Sequence, residues 1–225
     1  MVKMPVCFVG HGSPMNAIEE NEFTEGWKQV ANAIPTPKAI LMISAHWFTR
    51  GTYTTDVKKP KMIYDMYGFP SELYQVQYPC PGAPELAKKL LDLFGDKITI
   101  DNHWGLDHGA WSVLVHMYPK HDIPVVQLSI DGTLSMKDYY ELGRQLRSMR
   151  DEGILIIGSG NVVHNLRQVD WDYQKNPAGA YAVPTPDHYA PLLYILGAAS
   201  EDDRIQVFNE KRTMGSLSMT SYLIG

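Results

Sequence analysis

Two passages of this chain share one construction: an apolar strand, one or two small residues, then a histidine. The first is Pro5-Val6-Cys7-Phe8-Val9-Gly10-His11-Gly12-Ser13-Pro14, and the second is Ala39-Ile40-Leu41-Met42-Ile43-Ser44-Ala45-His46-Trp47. A short apolar run bounded by Gly or Pro reads as a strand buried on both faces, as in a parallel sheet. Ligands of open parallel sheets gather at the carboxyl ends of the strands. His11 and His46 are therefore expected in one crevice. A third histidine, His188, stands in Pro184-Thr185-Pro186-Asp187-His188-Tyr189, at the start of an expected helix. Neutral imidazole is the commonest metal ligand near neutral pH, so these three form a candidate ligand set. A single His after a strand is more often a hydrogen-bonded structural group; the repeated context is what favours chemistry. Gly10 and Gly12 are expected to let a metal–substrate complex approach the backbone closely.

The remaining pattern extends the same architecture. Strand candidates are Val6–Val9, Ile40–Ser44, Ile98–Ile100, Val125–Ile130 and Ile154–Gly158. Between them, Pro84 reads as a first helical residue followed by apolar Leu86, Leu90 and Leu93. Ser135 and Asp138 form a capping box ahead of an apolar stripe of Tyr139, Leu142, Leu146 and Met149. Arg144, Arg147 and Arg150 fall on the other faces and read as solvated, and Gly153 as the helix stop. Ser216–Tyr222 alternates weakly, as an edge strand would. The expectation is a single α/β domain over residues 1–225, with a parallel or mixed central sheet and helices on both faces.

Composition narrows the function. A chain of 225 residues with net charge −5 and no basic stripe is a poor match for nucleic acid. No apolar run is long enough to span a bilayer, and the N-terminus does not read as a signal peptide. Cys7 and Cys80 lack CxxC spacing, so a thiolate zinc site is not expected. A reducing, cytoplasmic setting fits best. Oligomeric state is not legible.

Two further histidines fall near the crevice. His108 follows Asp107, a suitable helix N-cap, and would sit in the first turn, where the helix dipole disfavours its cation. His164 follows the last strand through Gly158-Ser159-Gly160-Asn161, which reads as a tight strand-to-helix turn; no GxGxxG is completed. His103, His116 and His121 read as surface or ordinary structural residues. Trp47, Tyr67, Phe69 and Trp111 are pocket candidates whose default is core packing.

Gly10-His11-Gly12-Ser13-Pro14-Met15-Asn16, Ser44-Ala45-His46-Trp47, Tyr67-Gly68-Phe69-Pro70, Asp107-His108-Gly109, Gly160-Asn161-Val162-Val163-His164-Asn165-Leu166 and the His188 motif occur here in one order. This ordered set resembles the class III extradiol ring-cleavage dioxygenases, most closely their 4,5-DOPA type, from His11 to Ser218. The resemblance implies that His11, His46 and His188 ligate a metal, that His164 is the acid/base, and that His108 touches the substrate hydroxyl or bound oxygen. It implies Fe(II) as the working metal, with Zn(II) possible in the isolated protein, and a small aromatic diol and O₂ as reactants. Ring-cleaving relatives often use two His and one carboxylate. Here His188 takes the third place, and no Asp or Glu is equally well placed, although Asp187 adjoins it. Three neutral ligands would leave the full 2+ charge at the metal. The stretch from Trp171 to Val183 is shorter than in relatives. That reads either as a deletion that opens the pocket or as the loss of a mobile lid-like segment from the sequence as given; the match of both flanks favours the second.

Other chemistries remain compatible with the same residues. Three His plus water is a hydrolytic zinc arrangement. A metal-binding relative without turnover is a third class, disfavoured because such a protein needs neither His108 nor His164. A serine hydrolase is weakest, since neither Ser13 nor Ser159 completes GxSxG.

Overall fold

The computed structural model describes residues 3–164 and 184–225. Its strands are β1 (Val6–Gly10), β2 (Ala39–Ser44), β3 (Phe48–Thr49), β4 (Thr52–Thr54), β5 (Ile98–Ile100), β6 (Val125–Gln127), β7 (Ile130–Asp131), β8 (Ile154–Gly160), β9 (Ile205–Phe208), β10 (Arg212–Thr213), β11 (Leu217–Ser218) and β12 (Ser221–Ile224). The α-helices are α1 (Glu22–Ala33), α2 (Pro84–Phe94), α3 (His108–Met117), α4 (Met136–Leu146) and α5 (Ala190–Ala198). Six strands form the central sheet in the order β6-β2-β8-β1-β12-β9. The first four run parallel. β12 is antiparallel to β1, and β9 to β12, so the sheet is mixed.

Every residue of β1, β2 and β8 is buried, because both faces carry helices. Side chains alternate between two cores, as the period of two demands. Val6, Phe8, Leu41, Ile43 and Ile156 pack with Leu90 of α2, Tyr139 of α4 and Ile195 of α5. Cys7, Val9, Ile40, Met42 and Ile157 pack with Trp27 of α1 and with Trp111 and Leu114 of α3. Burying such a side chain is worth about 1.5–3 kcal/mol, so the three central strands are firmly fixed. Their register brings Gly10 beside Gly160 and Ser44 beside Ser159. The carboxyl ends of β1, β2 and β8 thus lie side by side at one edge.

Local signals account for several elements. Pro84 is at the first turn of α2. The Ser135–Asp138 capping box opens α4, and the Asp107 side chain accepts from the Ala110 N–H to cap α3. Gly153, in the left-handed region, ends the 3-10 turn after α4. Both cysteines are free and buried. Among the described residues, no helix is long and apolar enough to cross a membrane.

Several expectations are corrected. Ile98–Ile100 pairs with β4 in a small separate sheet. The run Val125–Ile130 breaks after Gln127, and its second piece pairs with β3. Helix α1, opened by an Asn21–Thr24 capping box, was not anticipated. Leu93 is exposed, and Phe94 takes the buried position instead. Gly158–Gly160 extend β8 rather than turning, because each pairs with a residue of β1. The expected edge strand over Ser216–Tyr222 divides: Leu217–Ser218 form β11, paired with β10 in a separate two-stranded sheet, and Ser221 and Tyr222 open β12 inside the central sheet, whose edges are β6 and β9, the latter with Ile205 and Val207 exposed. Arg150 is not solvated but 1% exposed. It donates to the Met4 and Ala198 carbonyls and pairs with Asp203.

Candidate metal centre

Strand pairing carries the candidate histidines to one place. The His11 N–H donates to the Gly160 carbonyl at 3.1 Å, and the Ala45 N–H to the Ser159 carbonyl at 2.9 Å. Hydrogen bonding therefore continues past the ends of β1 and β2 up to the two histidines. His188 is tied to the same edge, since the Asn161 N–H donates to its carbonyl at 2.9 Å. Gly160 permits this approach: a Cβ there would lie 2.2 Å from the His188 oxygen. Gly10 has a different use from the one expected. A Cβ on it would meet the Met219 backbone at 2.7 Å, so its smallness accommodates the chain rather than a ligand.

The five candidate histidines form one cluster. Ring centroids of His11, His46 and His188 are 5.0 to 5.3 Å apart. The His108 ring lies 3.8 Å from His46. His164 stacks on His188 at 3.4 Å, with planes 5° from parallel. One ligand atom from each of His11, His46 and His188 lies within 4.8 Å of the others, close enough to hold one ion.

Hydrogen bonding behind the rings decides which nitrogens are bare. The Ser159 hydroxyl donates to the Gly109 carbonyl at 2.6 Å, so its oxygen is left to accept from His11 Nδ1, 2.9 Å away. Asp187 Oδ2 lies 2.6 Å from His188 Nδ1. Asp65 Oδ2 lies 3.1 Å from His46 Nδ1. Ionised carboxylates only accept, so all three rings carry hydrogen on Nδ1 and, when neutral, a lone pair on Nε2. The Nε2 atoms of His11 and His46 face each other at 3.1 Å. His188 Nε2 is buried and has no hydrogen-bond partner among the described residues. Three converging imidazole lone pairs, one of them orphaned, fit a divalent transition metal.

Electrostatics agree. Burial, followed by the neighbouring imidazoles, holds His11 well below the ordinary value of 6.5. Burial also lowers His188, against the pull of Asp187, and His108, against Asp65. His164 is pushed down to about 3 by burial and by His188. His46 is the exception: burial opposes its cation, but Asp65, Asp107 and Asp187 together outweigh that and raise it. Burial would raise Asp65 and Asp187, yet hydrogen bonds from the histidines hold both carboxyls below their usual range. Burial thus favours neutral His11 and His188, the nearby carboxylates favour the cation of His46, and the two negative charges of Asp65 and Asp187 stand directly behind His46 and His188, where they can balance a divalent cation.

Asp65 is the residue that sequence reading missed. It lies in an irregular loop, without strand periodicity or glycine flanks. His103 is fully exposed. His116 is buried, with Nε2 2.7 Å from the Asn16 carbonyl, and His121 packs its ring on Tyr78. None of these three is in the cluster. Trp47 and Trp111 are buried, Phe69 packs against the core, and Tyr67 is 92% exposed. Ser13 caps a 3-10 turn, while Ser159 is fully buried with its proton committed to a carbonyl. Neither is arranged as a nucleophile.

The sequence profile described as "Catalytic LigB subunit of aromatic ring-opening dioxygenase" matches residues 5–180. The chain belongs to the LigB family. This LigB-family protein is 43% identical to the 4,5-DOPA dioxygenase extradiol of Escherichia coli K12, over 99% of this chain and 95% of that one. It is 36% identical to the protein of the same name from Beta vulgaris, over 96% and 94% of the two chains. A crystal structure of an uncharacterized protein from Escherichia coli K12 superimposes with a TM-score of 0.84 at 41% identity, covering 99% of this chain and all of that one. The first alignment runs over 258 positions, more than the 225 residues here, so that relative carries residues this LigB-family chain lacks. The short stretch Trp171–Val183 lies outside the described residues.

Proposed function

We propose that this chain is an extradiol dioxygenase that opens the ring of a substituted catechol, of the DOPA type, with O₂, as one catalytic domain over residues 1–225. The observation that carries the reading is the His11–His46–His188 cluster, with one ring nitrogen from each within 4.8 Å of the others, in a LigB-family chain. The names of its relatives supply the substrate class. In this reading His11, His46 and His188 hold the metal, His164 is the acid/base and His108 contacts the reacting oxygens. Fe(II) is the working metal, and Zn(II) competes because it binds such sites more tightly. When bound, Fe(II) supplies the redox chemistry that O₂ requires to react with the diol. His164 is neutral at pH 7 and accepts a hydroxyl proton from the diol at a ring nitrogen. Its stack on His188 holds that nitrogen beside the ligand set. His108, fixed at the first turn of α3, presents its ring against His46. Two buried free thiols fit a reducing cytoplasm.

The test is oxygen uptake across a panel of catechols after anaerobic Fe(II) loading. A yellow ring-opened product forming only with oxygen supports the reading. Protein that binds catechol, consumes no oxygen and hydrolyses an ester or amide with zinc overturns it.

A further inference from the structure

One charged group of the cluster has no part in the ligand set or in the acid–base pair. Asp65 Oδ2 lies 3.1 Å from His46 Nδ1 and 3.0 Å from His108 Nδ1. Its other oxygen, Oδ1, accepts from the His108 backbone N–H at 2.9 Å, at the open end of α3. Its side chain is only 15% exposed. One carboxylate therefore spans two rings whose centroids are 3.8 Å apart.

We propose that Asp65 is a positioning residue that fixes the His46 tautomer and the His108 ring as one unit. The proposal rests on reading His46 as a metal ligand. A carboxylate 3 Å from a ring nitrogen favours the tautomer with an N–H there, because its full negative charge attracts the proton and repels a lone pair. His46 is thereby left with its lone pair on Nε2, toward His11 and the ion. The same oxygen stands 3.0 Å from His108 Nδ1 as a charge contact without hydrogen-bond geometry, and Oδ1 accepts from the backbone N–H beneath that ring. A shift of either ring then disturbs the other, which a separate partner for each would not do. Ser159 and Asp187 do the corresponding work for His11 and His188, but each serves a single ring. His46, Asp65 and His108 also lie close enough to hold an ion themselves. That arrangement would need both Nδ1 atoms bare, the opposite of what the carboxylate imposes.

The test uses Asp65→Asn, which keeps one carbonyl oxygen and replaces the other with a donor. It keeps an acceptor for the helix but satisfies fewer ring N–H groups. The first readout is ring ¹⁵N NMR of the metal-free protein at alkaline pH, where all imidazoles are neutral. Wild type is expected to show His46 and His108 protonated at Nδ1, and the variant to show at least one of them switched or mixed. The second readout is metal affinity, expected to fall roughly 10–100-fold in the variant. Asp65→Leu, with thermal unfolding as a control, covers the case in which the amide misfolds. Unchanged tautomers with unchanged affinity overturn the proposal. Bare Nδ1 atoms in wild type, with total loss of metal in the variant, overturn it in favour of Asp65 as a ligand. Wild type that binds no metal at His11, His46 and His188 defeats the functional reading instead, while the tautomers of the metal-free protein still judge Asp65.

Discussion

The imidazole of His164 lies flat on that of His188, 3.4 Å between centroids. The two rings are assigned different work, and substitution separates them. His164→Ala is expected to keep its metal and lose about 10²–10⁴-fold in rate, the usual worth of a positioned acid or base. His188→Ala and His11→Ala are expected to lose metal and rate together. Metal content measured beside turnover decides. A His164→Ala protein empty of metal would make His164 a ligand.

Ser159 supplies the cleanest test of the outer hydrogen bonds. Its hydroxyl touches no proposed substrate, yet it fixes the proton on His11. Ser159→Ala removes that constraint with little change in volume. Metal affinity is expected to drop roughly 10–100-fold while the protein stays folded. Calorimetric titration of metal into the metal-free variant checks this; an affinity equal to wild type would mean that packing alone orients His11.

The cluster also sets how the metal-free protein responds to acid. His11, His108, His164 and His188 sit below 6.5 when folded, His164 at about 3. The unfolded chain binds more protons than the folded one between those values, so stability falls as pH drops below 6.5. Asp65 and Asp187, held low, add to this: their contribution is present above the ordinary 3.8 and is lost as pH falls through the folded values. His46 acts the other way. Its contribution is complete below 6.5 and is lost as pH rises through its raised value. Between pH 7 and pH 4 only the histidines act, four lowered against one raised; the carboxylates add their loss below 3.8. Urea midpoints of metal-free protein should fall steadily from pH 7 to pH 4, and a flat profile would contradict these shifts.

Much of this site was legible because its sequence signals are local. His11 and His46 follow apolar runs that can only be buried strands, and parallel pairing brings the ends of such strands together. Asp107 announced α3, and with it the place of His108. What was not legible depends on tertiary contact. Asp65 reaches the cluster from a loop with no periodicity. Arg150 looked like one more cation on a polar helix face, until the fold placed Asp203 and two carbonyls around it. β9 was missed because its apolar residues point outward. Gly158–Gly160 looked like a turn because glycine marks turns and close-packed strands equally well.

Arg150 carries a prediction of its own. It is a buried cation whose partners come from the first residues of the chain, the end of α5 and the turn at Asp203. Removing one partner of a buried pair costs about 3–5 kcal/mol. Asp203→Ala should destabilise the protein by that order without altering metal content per folded molecule. Chemical denaturation alongside metal analysis checks both halves; a loss below about 1 kcal/mol would place this pair with weak surface bridges.

The most direct measurement is turnover of DOPA by Fe(II)-loaded protein under isotopically labelled dioxygen, followed by mass spectrometry of the product. The expected result is a ring-opened product whose new carboxylate carries label from the gas, absent in the His11→Ala protein. A product that takes its new oxygen only from water, or a catechol ring that emerges intact, would contradict ring cleavage by O₂ at this site.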